Sequence, residues 1–339
     1  MAGLFDSYQL KGLTLKNRIM MSPMCQYVAN TDGTVTDWHH VHYGARAIGG
    51  VGLIVLEASA VEARGRISKN DIGIWSDDHI AGLKRIVDFG HQYGAKMGIQ
   101  LAHAGVKAET DEPNVAPSAL THFPRYQVPQ ELSAAEIQAI VEKFKASAAR
   151  AVQAGFDTIE LHGAHGYLIE EFLSPLTNKR TDQYGGSFEN RIRFALDVIR
   201  AVKSVIPDEM PLLMRVSASE YSEESYSLDE MVEMVKAFQA AGVDMIDCSS
   251  GGALPVAPPA IYPGYQVPFS EAIKHGAGIP TIAVGLLDHP ALAEDVVRNG
   301  RADLVAIARG LLRNPHWAKV AALELKAELE LPASYARAY

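Results

Sequence analysis

The sequence predicts a (β/α)8 TIM barrel, an α/β fold in which residues 1–339 form a single unit with extended loops after the strands. Three observations predict it. Eight short apolar runs alternate with amphipathic helical stretches. A glycine recurs where a helical stretch gives way to the next run, at Gly50, Gly94, Gly155, Gly242 and Gly300, and glycine closes a helix in the left-handed conformation without a Cβ penalty. Neither G-x-G-x-x-G nor G-x-x-x-x-G-K-[ST] occurs, whereas a doubly wound sheet would bring such a phosphate loop early.

The runs read as buried parallel strands: Ile19–Ser22, Gly52–Ala58, Met97–Ala102, Thr158–His162, Leu212–Ser217, Met245–Ser249, Thr281–Gly285 and Leu304–Ala308. Helices lie between them at Asp78–Tyr93, Ser187–Val205 and Pro290–Asn299. Ile137, Ile140, Val141, Phe144, Ala148 and Val152 mark another by their helical spacing. Ser133 with Glu136 predicts a capping box at its start. Ser227 with Glu230 predicts a second, ahead of Met231, Val235 and Phe238. The chain exceeds a typical barrel by roughly 90 residues. The excess falls in Gly105–Leu132, Gly163–Gly186 and Gly251–Tyr265, after strands three, four and six, on the face where barrel active sites are built. The tail 332–339 stands outside the pattern.

Composition narrows the function. The chain has 339 residues, 48% hydrophobic and 21% charged, as an ordinary globular protein has. A net charge of −9 argues against nucleic acid or an anionic membrane as a partner. The two cysteines, Cys25 and Cys248, form no C-x-x-C pair, which argues against zinc-ribbon, iron–sulfur or disulfide frameworks. No apolar run approaches the roughly 18 residues of a membrane span, and no signal peptide is recognisable. The expectation is a cytoplasmic protein.

Polar residues interrupt the apolar strands. Alternation turns Ile159 and Leu161 toward the helices and Glu160 and His162 into the barrel. Gln100, Arg215 and Glu57 also fall within strands. Buried charges need partners, so these five are expected to form one network near the upper end of the barrel, beside a polar ligand. His162, His165 and Tyr167 crowd the end of the fourth strand; two hydrogen-bond donors and a weak acid suit activation of a carbonyl compound. After strands seven and eight, Gly285 and Ala308-Arg309-Gly310 fit either a phosphate site or plain turns. The His-x-x-His spacing would suit zinc, but no third ligand accompanies it. His39, His40 and His42 read as surface or packing residues of the first helix.

The motifs Ser22-Pro-Met-Cys-Gln-Tyr27, His162-Gly-Ala-His-Gly-Tyr167, Phe172-Leu-Ser-Pro175 and Asn178-Lys-Arg-Thr-Asp-Gln-Tyr-Gly-Gly-Ser187, with Glu189-Asn-Arg191, resemble the Old Yellow Enzyme family. Cys25 and Tyr27 resemble its thermophilic-like bacterial subgroup. The resemblance runs from Leu4 to the C-terminus. It implies an FMN-dependent NAD(P)H oxidoreductase that reduces the activated C=C bond of enones, enoates or nitroalkenes. It also implies tight, non-covalent FMN, with NADPH or NADH as reductant in a ping-pong cycle.

By that resemblance Ser22, Pro23, Met24 and Cys25 line the flavin, and Ala58 and Gln100 contact its ring. Arg215 sits by its pyrimidine end. Gly285, Ala308 and Arg309 hold its phosphate. Many members carry glycine where this chain has Ala308. His162 and His165 bind the substrate oxygen or a phenolic ligand with help from Tyr27, and Tyr167 donates a proton opposite the hydride. Arg337 reaches into a neighbouring subunit of a homodimer or homotetramer. No metal is implied. Two other readings remain open: a flavin-free barrel lyase or isomerase acting on a phosphorylated substrate, and a flavin-binding protein.

Overall fold

The computed structural model describes residues 2–335, 337 and 338. Eight parallel strands close into a barrel in the order of the chain. They are β1 (Ile19–Met21), β2 (Leu53–Ala60), β3 (Lys96–Ala102), β4 (Thr158–Gly163), β5 (Leu212–Ser217), β6 (Met245–Ser249), β7 (Thr281–Ala283) and β8 (Leu304–Ile307). The outer ring comprises α1 (Asp37–Ile48), α2 (Asp78–Gln92), α3 (Ala134–Gln153), α4 (Arg193–Lys203), α5 (Leu228–Ala241), α6 (Val267–Ala277), α7 (Pro290–Arg298) and α8 (Trp317–Leu325). The expected barrel is therefore present. β1, β7 and β8 end earlier than expected, which leaves Ser22, Gly285 and Ala308 in the loops above them.

Helix ends follow their sequence signals in part. Ser133 and Glu136 form the expected reciprocal cap. At α5 only half of the second box forms. The Ser227 hydroxyl accepts the Glu230 N–H, while the Glu230 carboxylate turns away to pair with Arg191. A charged partner outbids a backbone N–H for a carboxylate. The five glycines at helix ends have φ between +69° and +121°. Ser187–Val205, expected as one helix, runs as a capped turn at Phe188–Arg191 followed by α4.

Alternation along the strands splits the interior into two layers. Outward residues such as Ile54, Ile99, Leu161 and Met214 pack under the helices. Inward residues at the lower end, Met20, Leu53, Val55, Leu213, Met245 and Leu304, form a separate apolar plug. An N-terminal hairpin, Tyr8–Leu10 with Leu13–Leu15, closes that plug from below with Leu13 and Leu15. Two residues higher on β3, β4, β5 and β6 the inward positions become Gln100, Glu160, Arg215 and Asp247. The barrel is thus dry at its floor and charged near its mouth.

β2 departs from strict alternation. Its pairing with β3 shifts between Leu56 and Ala58, so Glu57 is the extra residue of a β-bulge. The bulge turns Glu57 out of the barrel, where its carboxylate meets Tyr43 of α1 (2.8 Å). Glu57 therefore does not join the interior network expected of it. Ala58 takes the inward position, opposite Gln100.

The first long loop carries a two-stranded parallel pairing of Val115–Ala116 with Gln130–Glu131. Among the described residues no helix is long and apolar enough to cross a membrane.

Candidate active site

A cleft opens over the C-terminal ends of the strands. One arm, about 250 Å³, is lined by Ser22, Pro23, Cys25, Ala58, Gln100, His162, His165, Tyr167, Arg215 and Ala308 among others. The other, about 150 Å³, runs over the loops after β7 and β8 and includes Gly285, Leu286, Asp288, Ala308, Arg309 and Gly310. Ser22, Arg215 and Ala308 line both arms, so the two form one elongated groove. Of the residues singled out in the sequence, Met24 packs instead against the core. Tyr27 stands exposed at the rim. Arg337 lies exposed in the tail and lines neither arm of the groove of its own chain.

The floor is an ionic cluster on the barrel axis. Gln100 Nε2 donates to Glu160 Oε1 (2.8 Å). Arg215 Nε lies 3.4 Å from Asp247 Oδ2, and Arg215 Nη1 donates to Ser22 Oγ (3.0 Å). Burial pushes both the Glu160 and Asp247 carboxyls upward; the charge of Asp247 raises Glu160 further, a hydrogen bond from Glu160 lowers Asp247, and the Arg215 cation opposes both shifts. The pair accordingly holds one proton, which leaves a single negative charge to balance Arg215. Asp247 was missed in the sequence, although it stands at an inward position of an apolar strand and the alternation rule would have found it.

The upper wall is built on the loop after β4. The His162 ring packs edge-on to His165 (5.2 Å) and to Tyr167 (4.9 Å). Burial, followed by the charges of Arg215 and Lys107, holds both imidazoles well below their ordinary pKa, so both are neutral. The Ala164 N–H donates to His162 Nδ1 (3.3 Å), which puts the ring hydrogen on Nε2. His165 Nε2 is paired with Ser249 Oγ (2.7 Å). Burial also raises the Tyr167 phenol, so it keeps its proton throughout the physiological range.

His165 has φ +61°, a left-handed conformation that costs a non-glycine residue about 1–3 kcal/mol. Three contacts impose it. Its N–H donates to Ser217 Oγ (2.9 Å), and its ring meets Ser249. Its carbonyl accepts from Lys107 Nζ (2.7 Å). Lys107 also donates to the Gly252 carbonyl and so ties the loop after β4 to the loop after β6. Gly166 completes the turn at φ +69°, where a Cβ would come within 2.5 Å of the Gly252 oxygen. Lys107 was not singled out in the sequence, because nothing local shows which carbonyls meet it.

Cys25 lines the same arm, and Tyr27 lies close enough to feel its sulfur. Burial, with Asp71 and Glu57 adding to it, pushes the Cys25 thiol well up; it is a thiol, not a thiolate. Tyr27 is pushed up to about 12 by burial and by Cys25.

The second arm suits a phosphate. Arg309 is exposed and has no side-chain partner among the described residues. Asp288, the acidic residue in the lining, is occupied by Arg313. Gly285 has φ +116°, and a Cβ there would meet the Gln266 N–H at 3.1 Å. Among the described residues no cluster of histidine, cysteine or carboxylate groups could hold a metal.

The groove therefore joins a cationic end to an amide- and guanidinium-lined floor, with an imidazole and phenol wall above. Residues 3–328 match the sequence profile of the NADH:flavin oxidoreductase / NADH oxidase family. The chain belongs to this family. It is 52% identical over 337 residues to an NADPH dehydrogenase of Halalkalibacterium halodurans, covering 99% of this chain and 98% of that one. It is 50% identical over 340 residues to an NADPH dehydrogenase of Listeria welshimeri, covering the whole of both. Among solved structures it is similar to morphinone reductase in complex with tetrahydroNAD. That likeness has a TM-score of 0.81 at 30% identity and covers 98% of this chain and 93% of that one. The protein is thus an oxidoreductase of Old Yellow Enzyme type that uses flavin and a nicotinamide nucleotide.

The groove fits FMN on its own evidence. Arg215 Nε has no hydrogen-bond partner although buried, Arg309 is unpaired, and the glycine at 285 leaves the cradle open. Ser22, Ala58, Gln100 and Arg215 would hold the ring system, and Gly285, Ala308 and Arg309 the phosphate.

Proposed function

We propose that this oxidoreductase reduces the activated C=C bond of enones, enoates or nitroalkenes, with tightly but non-covalently held FMN and with NADPH, or NADH, as reductant. The supporting observation is the placement of neutral His162 and His165 beside protonated Tyr167 above the flavin groove. Bound FMN would supply the hydride.

The protein's own residues do the rest. The free Nε2–H of His162 is available to a substrate oxygen, and His165 is held beside it. Donors aimed at an oxygen on which charge builds contribute most when water is excluded, and losing one costs about 10²–10³ in rate. Both imidazoles are buried among neutral or cationic neighbours, so each stays neutral with a single ring N–H to donate. Tyr167 holds a proton at the same wall and delivers it to the substrate carbon as the general acid. Arg215, held beside Asp247 (3.4 Å), presents its guanidinium to the floor of the groove. A phenolic ligand would meet the same two imidazoles. Reductant and alkene would use this wall in turn, which gives ping-pong kinetics. We further propose a homodimer or homotetramer in which the exposed Arg337 serves a neighbouring subunit.

The test is an anaerobic absorbance titration with NADPH and then cyclohexenone. Bleaching of the flavin band followed by its recovery is expected. Bleaching without recovery would overturn the assignment of the alkene as acceptor.

A further inference from the structure

Glu57, displaced from the barrel by the bulge in β2, is fully buried and sits directly behind the Cys25–Tyr27 wall. Its Oε2 accepts the Gln26 N–H (2.7 Å). Its Oε1 accepts the Tyr43 hydroxyl hydrogen (2.8 Å), and its own N–H donates back to the Tyr43 oxygen (3.0 Å). His39 Nδ1 accepts the Thr36 N–H (3.0 Å), so the neutral His39 ring carries its hydrogen on Nε2, 3.5 Å from Glu57 Oε1. The carboxylate is thus ringed by donors from α1 and from the loop after β1.

Gln26 lies between the two residues that shape the wall. Tyr27, immediately after it, holds φ +57°, which a tyrosine adopts only when its surroundings impose it. The Gln26 N–H is tied to a carboxylate that is itself fixed by Tyr43, and this sets the peptide from which both Cys25 and Tyr27 project. We propose that Glu57 is a positioning residue, which acts through Gln26 to set Cys25 and Tyr27 against the flavin and substrate groove.

The ionisation of Glu57 makes the role measurable. Burial pushes its carboxyl up to about 7, the Gln26 and Tyr43 bonds oppose that shift, and Asp71 adds to it. The groups that face it are Cys25 from the loop after β1, His39 and Tyr43 from α1, and Asp71 from the loop after β2. Above pH 7 the ionised carboxylate accepts from the Gln26 N–H and the Tyr43 hydroxyl. Below pH 7 the neutral acid holds the Gln26 N–H more weakly, because a charge-assisted bond is about twice as strong as a neutral one.

The proposal rests on the reading of the upper groove as the substrate site, and the experiment separates the two. Wild type and Glu57→Gln, both loaded with FMN, are titrated with 4-methoxyphenol from pH 5.5 to 8.5 through the change in the flavin band. The quantity read is the ratio of their affinities, in which the ligand's own ionisation cancels. We expect the wild type to bind about tenfold tighter at pH 8.5. The ratio should fall to unity below pH 6, where wild-type Glu57 is as neutral as the glutamine.

A ratio of unity at pH 8.5, or one that does not change with pH, overturns the proposal. The Gln26 amide exchange rate is measured in the same samples, and it should be faster in the variant only above pH 7. Should Glu57→Gln fail to fold, Tyr43→Phe removes one donor from the same carboxylate and should move the midpoint of the wild-type pH profile upward. An unmoved midpoint overturns the proposal as well. Enone turnover is run alongside: its absence from the wild type sinks the functional reading, while the amide exchange still reports on Glu57.

Discussion

Replacing Lys107 with methionine removes an ammonium group while keeping most of the stem that packs beside the groove. In the wild type Nζ donates to the carbonyls of His165 (2.7 Å) and Gly252 and lies 4.4 Å from the centre of the Phe123 ring. Hydrogen bonds to charged groups contribute about 1.5–3 kcal/mol each, and a partly exposed cation–π contact about 0.5–1 kcal/mol. Against these stands the cost of desolvating the ammonium, which is what lowers the Lys107 pKa to about 8. That fall in pKa amounts to about 3 kcal/mol, so the balance is a loss of about 0–4 kcal/mol, concentrated where the left-handed turn at His165 depends on it.

Without Lys107 that turn keeps only its contacts with Ser217 and Ser249. Phenol affinity should therefore weaken by about 10–100-fold, equivalent to about 1.4–2.7 kcal/mol. FMN should stay bound, because Lys107 lines neither arm of the groove. The assay is a phenol titration followed by the flavin band, repeated from pH 7 to 9. Lys107 loses its proton above about pH 8, and its two bonds then drop to neutral strength. The ratio of wild-type to variant affinity should shrink toward pH 9. A flavin-loaded variant with wild-type phenol affinity at pH 7 would refute the reasoning.

Two further outcomes are expected. Tyr167→Phe preserves the ring that packs on His162. It should leave reduction by NADPH unchanged while slowing reoxidation by an enone by about 10²–10⁴; stopped-flow measurement of the two half-reactions tells whether the order is reversed. His42 is buried and held down to about 3 by burial and by Arg46. Its folded pKa lies below its unfolded value of 6.5, so the folded state binds fewer protons, and the stability present above pH 6.5 is lost as pH falls. Because the unfolded imidazole is already half protonated at pH 6.5, the step to pH 4.5 amounts to about 2 kcal/mol. Urea unfolding at pH 6.5 and 4.5 should show His42→Leu losing less stability than the wild type by about this amount. Equal losses would show that His42 is not held neutral.

Much of this molecule was legible in its sequence, because the signals were local or periodic. The apolar runs, the glycines that end helices and the Ser133 cap act over a few residues. They specify strands and helices whatever surrounds them. Alternation along Thr158–His162 was enough to turn Glu160 and His162 inward, and Arg215 followed from being a charge in an apolar strand. The crowding of His162, His165 and Tyr167 at one strand end was visible in the sequence, and the three line one arm of the groove.

What the tertiary structure decided lies where distant segments meet. One extra residue in β2 reverses the facing of Glu57, because a bulge depends on how two strands pair and not on the residues of one. Lys107 finds its carbonyls on the loops after β4 and β6, and Glu230 prefers Arg191 to its own helix terminus. The Asp247 and Glu160 carboxyls are both raised because barrel closure buries them together around Arg215. The protonation states of His162, Tyr167 and Glu57 likewise follow from burial and neighbouring charge, which exist only once the chain has folded.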